Sequence, residues 1–120
     1  MSYVDGFVVA VPTANRDAYR DLAARAAEVF LENGALQVFE AWGDDVPHGK
    51  QTDFHMAVQA KPDETVVFSW ILWPSRAARD MGMPKAMADA RLQPSMTTDV
   101  FDGKRMIYGG FATLLDERAP

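Results

Sequence analysis

Two histidines and two carboxylates set inside apolar stretches are the residues of this chain best suited to move protons. They are His48, His55, Asp5 and Glu40. An imidazole is the usual base near neutral pH, so His55, at the start of a short helical segment, is a candidate base; haem ligation would draw on the same side chain. A lone histidine is also a common surface or core residue. Asp5 and Glu40 interrupt strands that are otherwise apolar. A buried carboxylate without a partner acquires a raised pKa and becomes a poised acid or base. The plainer alternative pairs each of them with Arg105, Arg16 or a backbone amide. Asp44, Asp45 and His48 fall together in one loop and offer metal-ligand chemistry. Their spacing matches no established ligand pattern, and Asp also favours turns, so no metal site is expected. Trp42, Trp70 and Trp73 are the three tryptophans, each on or at the end of a strand. They suit the walls of a pocket for a flat apolar ligand, with Arg105 and Tyr108 as further candidate ligand contacts. The alternative is packing in a core or interface.

Composition removes several classes. There is no cysteine, which excludes disulfides, thiolate catalysis and cysteine-based metal sites. That also fits a reducing, cytoplasmic setting. The net charge of −5 and a pI near 4.8 disfavour nucleic-acid binding, which relies on a basic surface. The N-terminal residues lack a signal-peptide pattern, and no window approaches the roughly 18 apolar residues of a membrane span. At 120 residues, 48% of them hydrophobic, the chain reads as one domain over residues 1–120 with a core of its own.

The elements that must position these groups follow from periodicity. Tyr3 to Val11 is rich in β-branched and aromatic residues and reads as a strand apolar on both faces. Thr13 or Asn15 can cap a helix whose stripe is Tyr19, Leu22, Ala23, Ala26 and Phe30, with Gly34 at its C-cap. Leu36 to Trp42 is the second strand, with Leu36, Val38, Glu40 and Trp42 on one face. Asp53 caps a short helix reaching about Ala60. Thr65 to Trp73 is a central strand apolar on both sides, and Ser75 caps the next helix. Gly82 and Pro84 predict a break in that helix, with a second piece to about Ala90. Arg105 to Leu115 is the fourth strand, where Gly109-Gly110 predicts a bulge or a close approach by another group, a ligand or, preferably, a partner subunit. Met81, Met83, Met87, Met96 and Met106 concentrate in one quarter of the chain and read as gap-fillers.

Strand, helix, strand, then the same series again, predicts an α+β, ferredoxin-like βαββαβ domain: a four-stranded antiparallel sheet with both helices on one face. The second face keeps large apolar groups, and a twofold dimer packed sheet to sheet would cover it. An RNA-binding module shares this fold. Its basic-aromatic signature resembles Lys104 to Ala112, but belongs on the third strand rather than the fourth, and the acidic charge opposes it.

Three stretches carry a resemblance: AWGDDVPHGK (Ala41–Lys50), KPDETVVFSWILWPS (Lys61–Ser75) and FDGKRMIYGGF (Phe101–Phe111). With the opening YVDGFVVAVP and the helix around NRDAYR, they resemble the YbaA-like bacterial family of unknown function, of the dimeric α/β-barrel superfamily, over nearly the whole chain. The resemblance implies a ferredoxin-like fold and a homodimer, and no established activity, cofactor or catalytic residue. The wider superfamily includes cofactor-free monooxygenases, haem-handling enzymes, small isomerases and ligand binders, and likeness at the level of fold is a weak warrant for function. The expectation is a homodimeric small-molecule-binding protein without a cofactor. The alternative is a cofactor-free enzyme, monooxygenase- or isomerase-like, acting on a small aromatic or carbonyl compound, with His55, Asp5 or Glu40 as base.

Overall fold

The structure is a computed structural model and describes residues 1–93 and 99–120. Seven main elements follow in order: β1 (Tyr3–Pro12), α1 (Arg16–Glu32), β2 (Gln37–Trp42), α2 (Phe54–Ala57), β3 (Glu64–Trp73), α3 (Arg76–Met87) and β4 (Ile107–Ala112). The strands form one antiparallel sheet in the order β2-β3-β1-β4, the ferredoxin-like arrangement expected of this element series. The long central pair β1 and β3 runs in register from Tyr3 opposite Trp73 to Pro12 opposite Glu64.

Strand alternation decides which side chains meet the helices. On β1 the odd positions Tyr3, Val9 and Val11 are buried against α1 and α3, together with Val67, Ile71 and Trp73 of β3 and Tyr19, Val29 and Phe30 of α1. Trp73 is fully buried and meets the Phe30 ring edge-on at 6.4 Å. The even positions form the second face. This face is not left wholly bare. The segment through α2 folds across one end of it, where the fully buried Val58 packs on Val8, Ala10 and Val66. Burying such a valine stabilises the fold by about 1.5–3 kcal/mol. The rest of the face stays open, with Phe68, Ile107 and Phe111 all exposed.

Three local expectations are corrected. Helix α3 is continuous through Pro84, not broken there. Gly82 lets the helix approach closely: a Cβ there would lie 2.6 Å from the Trp73 ring and collide with the Asn33 carbonyl. Pro84 and Asp80, whose carbonyl loses its partner to the proline, are both exposed, so water can satisfy it. The fourth strand is shorter than predicted, and Arg105 lies before it in a 3-10 turn, Gly103–Arg105. Gly109 and Gly110 pair regularly with Gly6 and Asp5, without a bulge. The close approach at Gly110 comes from Tyr3 and Arg79 of the same chain.

Asp53 and Ser75 cap their helices as expected, accepting from the Met56 and Ala78 amides. Asn15 precedes α1 without a side-chain capping bond and donates instead to the Val100 carbonyl at 2.9 Å. Gly34 takes the left-handed conformation just past α1. Met96 lies outside the described residues.

Candidate functional site

Between the sheet and α1 lies a cavity of about 220 Å³. Its walls are mostly apolar, with Leu22 and Phe30 from α1, Val9 and Ile71 from the sheet, and Phe101 and Met106 from the segment before β4. The polar groups in it are Glu40, Tyr19 and Ser69. Glu40 and Ser69 face each other across β2 and β3. Tyr19 projects from the apolar stripe of α1, its ring edge-on to Phe101 at 5.7 Å, and its hydroxyl donates to Glu40 Oε1 at 2.6 Å. Glu40 belongs to an edge strand and keeps contact with solvent. The apolar surroundings of its carboxylate nevertheless push its pKa up, against hydrogen bonds from Tyr19 and Ser69 that pull it down. Tyr19 is itself pushed up, by burial and then by the adjacent carboxylate. The two side chains also line an outer cleft of about 230 Å³ containing Arg16, Arg20 and Trp42, where the Arg16 guanidinium lies 5.9 Å from the Trp42 ring. The Tyr19–Glu40 pair therefore divides an apolar interior from a basic, aromatic entrance.

Asp5 occupies a different place. It is buried beneath α3, accepts a hydrogen bond from Trp73 Nε1 at 2.9 Å and lies 3.8 Å from Arg79 Nε. Burial pushes its pKa up while Arg79 and the indole bond pull it down. Arg79 in turn donates to the Tyr3 hydroxyl at 2.8 Å and covers the Tyr3 ring at 4.8 Å. The partners of the two carboxylates are thus Arg79 and Trp73 for Asp5 and Tyr19 for Glu40, in place of Arg105, Arg16 or a backbone amide. Arg105 is held by Glu64 through two hydrogen bonds of 2.7 Å, and by Asp102.

The remaining predicted residues are dispersed. Trp73 is core. Trp42 stands at the outer cleft. Trp70 lines a shallow groove of about 530 Å³ on the open face of the sheet, with Val4, Phe68 and Phe111, and Tyr108 borders it from β4 with its ring stacked on Phe7 at 6.4 Å. Trp70 stacks flat on Phe39 at 4.2 Å, and Phe68 meets Trp70 edge-on at 5.8 Å. His55 lies away from the inner cavity, in the α2 segment, where the His48 ring stacks on it at 4.2 Å. Asp53 lies 3.8 Å from His48 and 4.0 Å from His55, whereas Asp44 and Asp45 stand outside this cluster.

Residues 2–103 match the family described as "Protein of unknown function (DUF1428)". The chain belongs to the DUF1428 family. It is 56% identical over 117 residues to the uncharacterised protein YbaA of Escherichia coli strain K12, covering 98% of this chain and all of the relative. The YbaA protein of Shigella flexneri is equally similar over the same length. Among solved structures, the chain is similar to SnoaB, a cofactor-independent oxygenase from Streptomyces nogalater. The two share 14% identity and a TM-score of 0.56, over 96% of this chain and 95% of that one. It is also similar to Rv0793 from Mycobacterium tuberculosis, with 13% identity and a TM-score of 0.52 over 99% and 100% of the two chains. At such identities these structures establish the shared α+β fold.

In this DUF1428 protein, sequence reasoning passed over Tyr19, Ser69, Asp53 and Arg79 as site residues. Tyr19 fits the apolar stripe of α1, and nothing local in the sequence distinguishes its hydroxyl. The available signal was a tyrosine on the core stripe of a helix facing a strand with an inward glutamate. Asp53 was legible only as a cap, because its approach to both histidines depends on the path of the loop between Gly43 and Thr52.

Proposed function

We propose that this DUF1428 protein is a homodimeric small-molecule-binding protein. Its ligand enters past Trp42 and Arg16 and rests in the cavity between the sheet and α1. The observation that carries this reading is the apolar cavity with one carboxylate–phenol pair, Glu40 and Tyr19, at its polar, solvent-facing end. A site of that kind takes a small, largely apolar molecule bearing one hydrogen-bonding group. The groove on the open sheet face is larger but almost wholly apolar in lining and shallow, which suits contact with a second sheet better than recognition of a ligand. The partner we assign to it is a second copy of the chain. The patch is aromatic and continuous across β2, β3, β1 and β4, and a twofold axis through it would set the same patch on both sides.

One observation favours a second reading, a cofactor-free enzyme. A glutamate with a raised pKa, hydrogen-bonded to a tyrosine inside a cavity, is suited to take a proton from a bound carbon acid. The fold is also one that SnoaB, a cofactor-independent oxygenase, uses.

Native mass spectrometry of freshly purified protein, followed by denaturation to identify what is released, tests the proposal. A dimer carrying one small molecule per chain is the expected result. Turnover of that molecule by the native chain but not by Glu40→Gln selects the enzyme. A ligand-free protein that takes up none of a panel of small aromatic and carbonyl compounds would overturn the binding reading.

A further inference from the structure

A second cluster shares no residue with the inner cavity: the loop after β2 and the short helix α2 bring His48, Asp53 and His55 together. We propose that these three side chains bind a divalent transition-metal ion, zinc in the first place, as a two-histidine, one-carboxylate site. One ligand atom from each lies within 4.8 Å of the others. The two imidazoles stack at 4.2 Å, and each presents Nδ1 to a different oxygen of Asp53, His48 to Oδ2 at 3.8 Å and His55 to Oδ1 at 4.0 Å.

Two further observations point to an ion. First, the carboxylate is held in place by groups other than the histidines. The Gly49 amide donates to Oδ2 at 2.8 Å and the Met56 amide to Oδ1 at 2.6 Å. These bonds leave a lone pair on each oxygen and orient the group, as outer partners do at metal sites. Second, His55 Nδ1 is buried and has no hydrogen-bond partner among the described residues. A buried polar atom without a partner is uncommon, and an ion is one of the things that satisfies it.

The donor set matches the metal. Imidazole and carboxylate together suit zinc, nickel or copper better than calcium or magnesium, which prefer all-oxygen sites. Zinc bonds of about 2.0–2.2 Å place ligand atoms closer together than they stand here, and a bound ion lies near the plane of each imidazole, so binding requires His48 to turn off its stack on His55 and the cluster to close by roughly 1 Å. His48 can supply that movement, because its side chain is 80% exposed at the end of a loop while Asp53 is 5% exposed and fixed. His48 and His55 both line a cleft of about 400 Å³ beside Lys61 and Pro62, which leaves room for water as a further ligand.

The test uses the untagged full chain, stripped with a chelator and titrated with Zn2+ or Co2+ alone against a chromophoric competitor. One ion per chain is expected, with visible ligand-field bands for Co2+. His48→Ala should weaken binding by about tenfold or more without changing the melting temperature of the metal-free protein. Asp53→Asn, which preserves a good helix cap, should weaken it as well. His55→Gln should abolish it. If the His55 variant fails to fold, His48→Ala and Asp53→Asn carry the test. Absence of binding at an ion excess, or binding unchanged in both of those variants, would overturn the proposal.

Discussion

At the scale of single residues, the charged pairs of this chain differ in what they do for stability. Glu64 and Arg105 form a largely buried, doubly hydrogen-bonded pair: Glu64 is 4% exposed, and its two hydrogen bonds from Arg105 lower its pKa from an ordinary 4.5 to about 2. A carboxylate whose pKa is depressed on folding contributes stability that is complete above its unfolded value. That contribution is lost as pH falls through 4.5 toward about 2. Glu64→Gln should therefore destabilise the protein at neutral pH by about 1–2 kcal/mol, allowing for screening at the rim of the sheet. It should also flatten the acid limb of the stability curve between those two pH values, as measured by urea unfolding across pH. Equal acid sensitivity in variant and native protein would show that the pair contributes nothing. Glu40 runs the other way. Its raised pKa means that the folded state holds its proton more tightly than the unfolded chain does. Stability is therefore lost as pH rises through its titration, a cost that a functional group can carry and a purely structural one has little reason to. Tyr19→Phe removes the hydrogen bond that pulls Glu40 down, so its carboxyl should titrate at higher pH still in carbon-detected NMR.

At the scale of elements, α3 and its contact with Trp73 decide how far the sheet is covered. Gly82 is buried in that contact, and an added methyl has fixed atoms on two sides, the Trp73 ring and the Asn33 carbonyl. Gly82→Ala would favour the helix locally, by the intrinsic propensity of alanine, yet should cost about 1–3 kcal/mol overall because a filled interface has to separate. A thermal melt would read this directly: an unchanged or raised midpoint would mean that α3 has room to shift. The shared contact with Trp73 also links α3 to Asp5, whose carboxylate holds the indole N–H. Local rules predict a break at the glycine and the proline inside α3, and the helix runs through both. Both are breakers in isolation; here Gly82 is favoured by its close packing on Trp73, and Pro84 is tolerated because it and Asp80 are exposed to water.

At the scale of the whole molecule, the open sheet face is the surface to which the proposed dimer contact is assigned. The face presents Phe39, Phe68, Ile107 and Phe111, each at least 40% exposed, on a chain in which no helix among the described residues is long and apolar enough to cross a membrane. A dimer that covers this patch should sediment as one species at micromolar concentration. Phe68→Lys, which sets a charge in the middle of the patch in each copy, should yield monomers with the fold intact by circular dichroism. A native chain that is monomeric at that concentration, or a dimer indifferent to the lysine, would exclude this face as the contact.

The elements were legible in the amino-acid sequence because period and punctuation are local. Runs rich in β-branched and aromatic residues marked β1 and β3, the stripe from Tyr19 to Phe30 marked α1, and Asp53, Ser75 and Gly34 marked helix ends, each through a bond or a backbone angle formed within a few residues. The order of those elements then admitted few topologies, and the ferredoxin-like sheet is the one adopted. The partners of the polar groups lay beyond that reach. Glu40 meets Tyr19 across 21 positions, Asp5 meets Trp73 across 68, and Arg105 meets Glu64 across 41. Such pairings depend on the register of β1, β2 and β3 and on the rotation of α1 over them, which no local pattern encodes. The same holds for the partial cover of the second face. Whether Val58 turns inward onto Val8, Ala10 and Val66 is decided by the path of the chain between β2 and β3, and only the packed structure determines it.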